Sequence, residues 1–156
     1  MSETIYEHLG GIDALRRLTR IFYDKVSADP ALEPLFGAMP DEHPERVALW
    51  LAEVFGGPQQ YTGERGGYTT MVLAHVNLGI TESQRARWAE LLYASLDEAG
   101  LPADARFRRT FREYIEWGTR IAMRNSQAGF RPPREAHVPT WPWSPIPTEH
   151  GRVGPR

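Results

Sequence analysis

The sequence predicts an all-α fold. Apolar residues recur at spacings of three and four along four stretches, and no stretch alternates convincingly with period two. Turn formers gather at a few points between them: Gly10-Gly11, Asp29-Pro30, Met39-Pro40, Gly56-Gly57-Pro58, the glycines of 63 to 67, and Gly100 to Pro102.

The first helix carries Ile12, Leu15, Leu18, Ile21, Phe22 and Val26 on one side. Asp13, Arg16, Arg17, Arg20 and Asp24 lie on the other. The second has an apolar stripe of Val47, Trp50, Leu51, Val54 and Phe55, and Gly56-Gly57 closes it. Thr81-Glu82-Ser83-Gln84 reads as a capping box opening a third helix to about residue 98. Phe107, Phe111, Tyr114, Ile115 and Ala122 mark a long fourth helix. Between Gly56 and Ala74 the reading is one long glycine-rich connection, of the kind more often functional than idle. Residues 1–129 form the expected domain. The segment 130–156, with seven of the thirteen prolines, is expected to be an extended or disordered tail. Trp141-Pro142-Trp143 argues against pure disorder, since two indoles gain free energy by docking on the domain or on a partner.

Composition narrows the function. The 156 residues are 41% apolar and 24% charged, as in an ordinary globular domain. A net charge of −2 gives no reason to expect nucleic acid or an anionic membrane. No window approaches the ~20 apolar residues of a membrane helix, and the start is no signal peptide, so the cytoplasm is the expected location. The absence of cysteine removes disulfides, thiolate catalysis, iron–sulfur clusters and covalent c-type haem together. There is no Gly-x-Ser-x-Gly, no phosphate loop and no defensible carboxylate pair; Asp41, Glu42 and Glu45 read as helix N-terminal charges.

His75 is the residue that suggests chemistry. It stands in the apolar run Met71-Val72-Leu73-Ala74-His75-Val76 with no acid or base within four residues. An isolated histidine of this kind is more often structural than a ligand. No second histidine lies at i+3 or i+4, which disfavours zinc, and His43 beyond the long connection could face the other side of a planar cofactor. Phe22, Tyr23, Phe36 and Trp88 each have a plain reading as core filler. Each also suits a pocket with apolar walls and a few donors, such as a non-covalent haem requires.

These residues together resemble the group II truncated haemoglobins, the O-type two-over-two globins, over about residues 4 to 126. Tyr6-Glu7-His8-Leu9-Gly10-Gly11 is similar to the family's short first helix and its glycine stop. Arg20 to Val26 is similar to the helix whose tyrosine points at the haem ligand. Gly56-Gly57-Pro58 with Tyr61, His75 followed by Ile80-Thr81, and Trp88 at the group II distal tryptophan complete the match. The resemblance implies a two-over-two helical sandwich holding haem b, with His75 on the iron. Phe36, Arg46, Val47, Trp50, Tyr61, Met71, His75 and Trp88 would contact the cofactor. Tyr23, Phe22, His43, Val47 and Trp88 would line the distal space.

The stretch before His75 departs from the family. The usual His-Pro-x-Leu-Arg-x-Arg-His is here Tyr68 to His75 without either arginine, one extra residue follows Tyr61, and Asn77-Leu78 replaces Pro-Phe. Propionate anchoring then falls to Arg46, Arg65 and Tyr61. The Pro/Trp tail has no counterpart in the core family.

The expected function is binding of O2, NO or CO at ferrous haem iron. Whether the ligand is carried, as in oxygen transport, or consumed by nitric oxide detoxification or peroxidase-like chemistry stays open, as do a reductase partner and a homodimer. With Tyr23 and Trp88 able to satisfy the ligand's outer atom, His43 is expected to turn outward as a gate, because a third buried donor left unpaired costs about 1–3 kcal/mol. The competing reading is a haem-free helical module that recruits partners through its Pro/Trp tail.

Overall fold

The computed structural model describes residues 3–131 and 136–145; the rest of the tail, and what was expected of it, lies outside the described residues. Eight helices follow in order: α1 Ile5–Leu9, α2 Gly11–Ser27, α3 Glu33–Phe36, α4 His43–Val54, α5 Gln60–Glu64, α6 Gly67–His75, α7 Glu82–Glu98 and α8 Ala105–Asn125. No strand occurs among the described residues. α2 packs on α4 and on α7, and α7 packs on α8, giving two helical pairs stacked as a two-over-two sandwich.

Each long helix follows from its pattern. The stripe of α2 buries Leu15, Leu18, Phe22, Tyr23 and Val26, with Leu15, Leu18, Phe22 and Val26 all at 0% exposure. α4 buries Ala48 to Val54 and ends where Gly56 takes φ 95°, a left-handed value that glycine adopts without strain. α7 starts in the capping box expected of it: Gln84 N–H donates to Thr81 Oγ1 at 3.1 Å, and Thr81 N–H donates to Gln84 Oε1 at 2.9 Å. Thr4 and Glu7 make a second capping box at α1, which the Thr-x-x-Glu spacing also encodes.

The connection from Gly56 to Ala74 is not one loop. It contains α5 and α6, and His75 is the last residue of α6. The reason the helix escapes pattern reading is physical. α6 has no continuous apolar face: Val72 is buried while Leu73 is 58% exposed, and Thr69, Thr70 and Ala74 face outward. A helix held by neighbours rather than by its own stripe leaves no period to detect.

The tail segment 136–145 has no regular structure and lies on the domain itself. Trp141 N–H donates to the Val54 carbonyl at 2.8 Å, at the C-terminal end of α4. The Trp143 indole N–H reaches the Glu3 carbonyl at 3.0 Å, and Arg106 lies over its ring at 5.0 Å. Ser144 N–H donates to Thr110 Oγ1 at 3.0 Å, and Arg106 Nε donates to the Ser144 carbonyl at 2.9 Å. The Trp141 ring therefore faces Tyr114 and Trp117 of α8, and the Trp143 ring faces His8 of α1 and Arg106 of α8.

Thr81→Ala removes the α7 cap and is expected to destabilise the protein by about 1 kcal/mol. A urea midpoint that does not fall in that variant would show that the cap carries no weight.

Candidate functional site

α6 presents His75 half-buried, with its Nδ1 at 2.8 Å from the Met71 carbonyl one turn earlier. A carbonyl oxygen only accepts, so Nδ1 carries the proton and Nε2 keeps its lone pair. Burial pushes the pKa of the ring below the usual histidine value, against the Met71 carbonyl, which pushes it up. His75 is thus a neutral imidazole of fixed tautomer with one free nitrogen, the state that ligates a metal. Among the described residues no cluster of three His, Asp or Glu side chains could hold a metal ion, so any metal here depends on this single nitrogen and a cofactor.

α2 and α4 bring a second group together. Tyr23 is 3% exposed, and its hydroxyl lies 3.1 Å from His43 Nε2. The two rings meet edge to face at 4.9 Å, with Phe36 at 5.9 Å from one and 6.0 Å from the other. Phe22 touches Tyr23 at 4.6 Å and stands edge-on to Trp88 at 4.8 Å. Val47, one turn after His43, is half-buried. Burial raises the pKa of the Tyr23 hydroxyl, and the nearby Trp88 side chain opposes it. Burial, aided by the positive charge of Arg46, lowers His43 to about 4.

His43 corrects the expectation of an outward gate. It points inward, because the Tyr23 hydroxyl is a partner for it and the nitrogen is not left unpaired. A buried donor need not find its acceptor on a ligand. Here two polar side chains satisfy each other.

The residues suggested for anchoring carboxylates divide. Arg46 pairs with Glu42 on its own helix, and Arg65 Nη1 reaches the same carboxylate at 3.0 Å. These two arginines hold Glu42 well below the usual carboxylate range. Arg65 Nε is buried with no hydrogen-bond partner among the described residues. Tyr61 is buried and meets Trp50 edge-on at 5.2 Å. The Trp50 indole N–H donates to the Tyr114 hydroxyl of α8 at 2.8 Å. The sequence marks Tyr114 only as a core residue; an indole N–H in a buried stripe, which must find an acceptor, is the signal that a partner existed.

A model of the bacterial-like globins matches residues 4–116. The chain belongs to the bacterial-like globin family. This globin is 29% identical over 101 residues to the group 2 truncated hemoglobin of Bacillus subtilis, covering 65% of this chain and 75% of that one. The hemoglobin of the thermophilic phototrophic bacterium Chloroflexus aurantiacus superposes with a TM-score of 0.69 at 35% identity, over 78% of this chain and 98% of the other. The group II truncated hemoglobin of Bacillus anthracis superposes with a TM-score of 0.69 at 26% identity, over 79% and 92% of the two chains. The resemblance read from separated motifs is therefore a family relationship, and the sandwich is the truncated-globin one.

Haem b is the cofactor of such a globin. The residues fit it on three grounds. His75 offers one nitrogen, aromatic and aliphatic side chains offer the walls, and the unpaired Arg65 N–H asks for an anionic oxygen. An unpaired buried donor costs about 1–3 kcal/mol, which a propionate would relieve.

The depressed His43 pKa has a pH consequence for the haem-free globin. Above about 6.5 neither the folded nor the unfolded ring binds a proton, so His43 contributes no pH dependence there. As the pH falls from about 6.5 towards about 4, the unfolded chain takes up a proton that the folded one refuses, and stability drops. The slope approaches about 1.4 kcal/mol per pH unit for one such group. His43→Leu is expected to flatten the fall in urea midpoint across that window, leaving the part due to His75. An unchanged slope would contradict the buried, neutral assignment.

Proposed function

We propose that this globin binds a diatomic gas, dioxygen foremost, at the iron of haem b ligated by His75 Nε2, and that the ligand is consumed by redox chemistry rather than stored. The observation that carries the reading is the His75–Met71 hydrogen bond, which leaves the imidazole neutral with Nε2 free. On this reading the ligand would meet Tyr23, His43 and Trp88, three polar side chains set among Phe22, Phe36 and Val47.

The haem supplies a ferrous iron that takes one diatomic ligand and can exchange an electron with it. The chain does the rest. His75 is held in one tautomer by the Met71 carbonyl, so it needs no reorganisation to ligate. Phe36, Val47, Met71, Trp50 and Tyr61 would wall the macrocycle, and Arg65, with Arg46 beside it, would receive a propionate. Phe22 holds the Trp88 ring in place from the core side.

Of the three polar side chains, Tyr23 and Trp88 would donate to the ligand's outer atom while His43 pairs with the Tyr23 hydroxyl, each such bond to a charged acceptor contributing about 1.5–3 kcal/mol. Two of them together slow release by about a hundredfold or more, since ~1.4 kcal/mol is a factor of ten. Slow release makes a poor store and favours turnover, either nitric oxide detoxification or peroxide reduction. An electron-donating reductase in the cytoplasm is the partner that such turnover requires.

Tyr23 has one hydroxyl proton and two claims on it. A neutral His43 accepts that proton through Nε2, while a ligand would accept it from the other side. Ligand binding therefore competes with the Tyr23–His43 bond. The Trp88 indole N–H can only donate, and the same Tyr23 hydroxyl lies near it.

The purified protein is expected to show a Soret band, and His75→Ala to lose stable haem or show a grossly altered spectrum. A wild-type ferrous spectrum in His75→Ala would overturn the assignment. Trp88→Phe keeps most of the ring and removes the N–H, so oxygen dissociation in stopped flow is expected to rise about tenfold, with a smaller rise for Tyr23→Phe. Unchanged rates in both variants would reject hydrogen bonding by this pair.

A further inference from the structure

Six aromatic side chains continue from the proposed haem site to the surface, and the function proposed above uses only the inner ones. Trp50 stands beside Tyr61 and, at 6.3 Å, Tyr68. Its N–H is bonded to the Tyr114 hydroxyl. The Tyr114 ring lies 5.3 Å from Trp141 and 6.2 Å from Trp117, and those two indoles are 5.2 Å apart. No saturated gap interrupts the series.

Core packing explains the buried members. It does not explain Trp117, which is 43% exposed on α8. Trp117 also borders a recess of about 460 Å³ lined by Tyr68, Arg124, Phe130 and His137, large enough for a single aromatic ring. Trp141 comes from the tail, and its backbone bond to Val54 fixes it between Tyr114 and Trp117.

We infer that Trp50, Tyr114, Trp117 and Trp141 form a one-electron relay through which this globin reduces hydroperoxides with electrons from a hydroxy-aromatic donor bound at Trp117. The inference rests on the haem reading above. A hydroperoxide, ROOH, takes two electrons and two protons to give ROH and water. The relay delivers the electrons singly.

Trp50 would give one electron to the haem once the hydroperoxide has oxidised it, and would be refilled across Tyr114 from the outer indoles. Tyr114 serves as a bridge rather than a stop, because its phenol accepts from Trp50 and has no acceptor for its own proton among the described residues. The vacancy settles on Trp117, whose indole proton can leave to water. A phenol or hydroquinone at the recess then returns one electron and one proton and departs as its radical, so one hydroperoxide consumes two donors.

The test uses the full chain in the ferric state, its haem confirmed by the Soret band, treated with one equivalent of hydrogen peroxide and a nitroso spin trap. Peptide mass spectrometry then locates the adduct. Trp117 is expected to be labelled, and Trp143, half-buried but outside the relay, is not. Hydroquinone should suppress the label, and Trp117→Phe should move it to Trp141. Tyr114→Leu should abolish Trp117 labelling in protein that keeps its Soret band. Where that variant does not fold, Trp50→Phe is expected to do the same. Equal labelling of Trp117 and Trp143, or labelling of Trp117 that survives loss of the bridge, overturns the relay. A wild-type protein with no Soret band overturns the haem reading instead, so the two failures are distinguishable.

Discussion

The crossing of α2 on α4 is the constraint on which the rest of the structure depends. Leu15, Leu18, Phe22 and Val26 on one helix and Ala48, Leu51 and Val54 on the other enter a single core, and none of them is more than 2% exposed. Burial at this scale fixes the rotation of each helix about its own axis, since turning either by one residue would carry apolar side chains into water. Tyr23 and His43 are therefore neighbours by consequence. Their hydrogen bond is the product of a packing decision made by the apolar stripes of the two helices.

On the other side of the pocket the logic is reversed. α6 packs mainly on α5 and α8 rather than on the α2–α4 layer, and its own residues give it little reason to be a helix. One face of it stays uncommitted, and Leu73 and Leu78 remain exposed. The globin thus sets the tightly packed α2–α4 wall against an α6 that has no apolar stripe of its own. A flat apolar group between them would complete the burial that the chain leaves unfinished.

That division also governs what could be read from the sequence. α2, α4, α7 and α8 were legible because each carries a stripe, and the α7 cap was legible because Thr81 and Gln84 stand at the right spacing. α5 and α6 were not, because tertiary contacts rather than period hold them. His75 could be singled out by its apolar setting, but its fixed tautomer depends on the Met71 carbonyl, which becomes a partner only once α6 is a helix. The inward His43 was missed for a related reason. Pairing between two side chains twenty residues apart is a property of the crossing, and no local window contains it. Arg65 and Tyr114 were similarly hidden, since an unpaired donor and an indole's partner exist only after the helices are placed.

The tail's attachment has a consequence for the order of events in folding. Trp143 bonds to Glu3, a separation of 140 residues along the chain, and Trp141 closes onto the end of α4. Contacts this distant carry the largest loop-closure cost when the chain is open and almost none once the helices have assembled. The seam between the two ends must therefore close last, over a body already formed. On the ribosome, the helical sandwich would assemble with the Val54 carbonyl and the flank of α8 still open to water. Only the arrival of Trp141 would seal them, so the extension acts as a late fastener that registers when the rest of the molecule is complete.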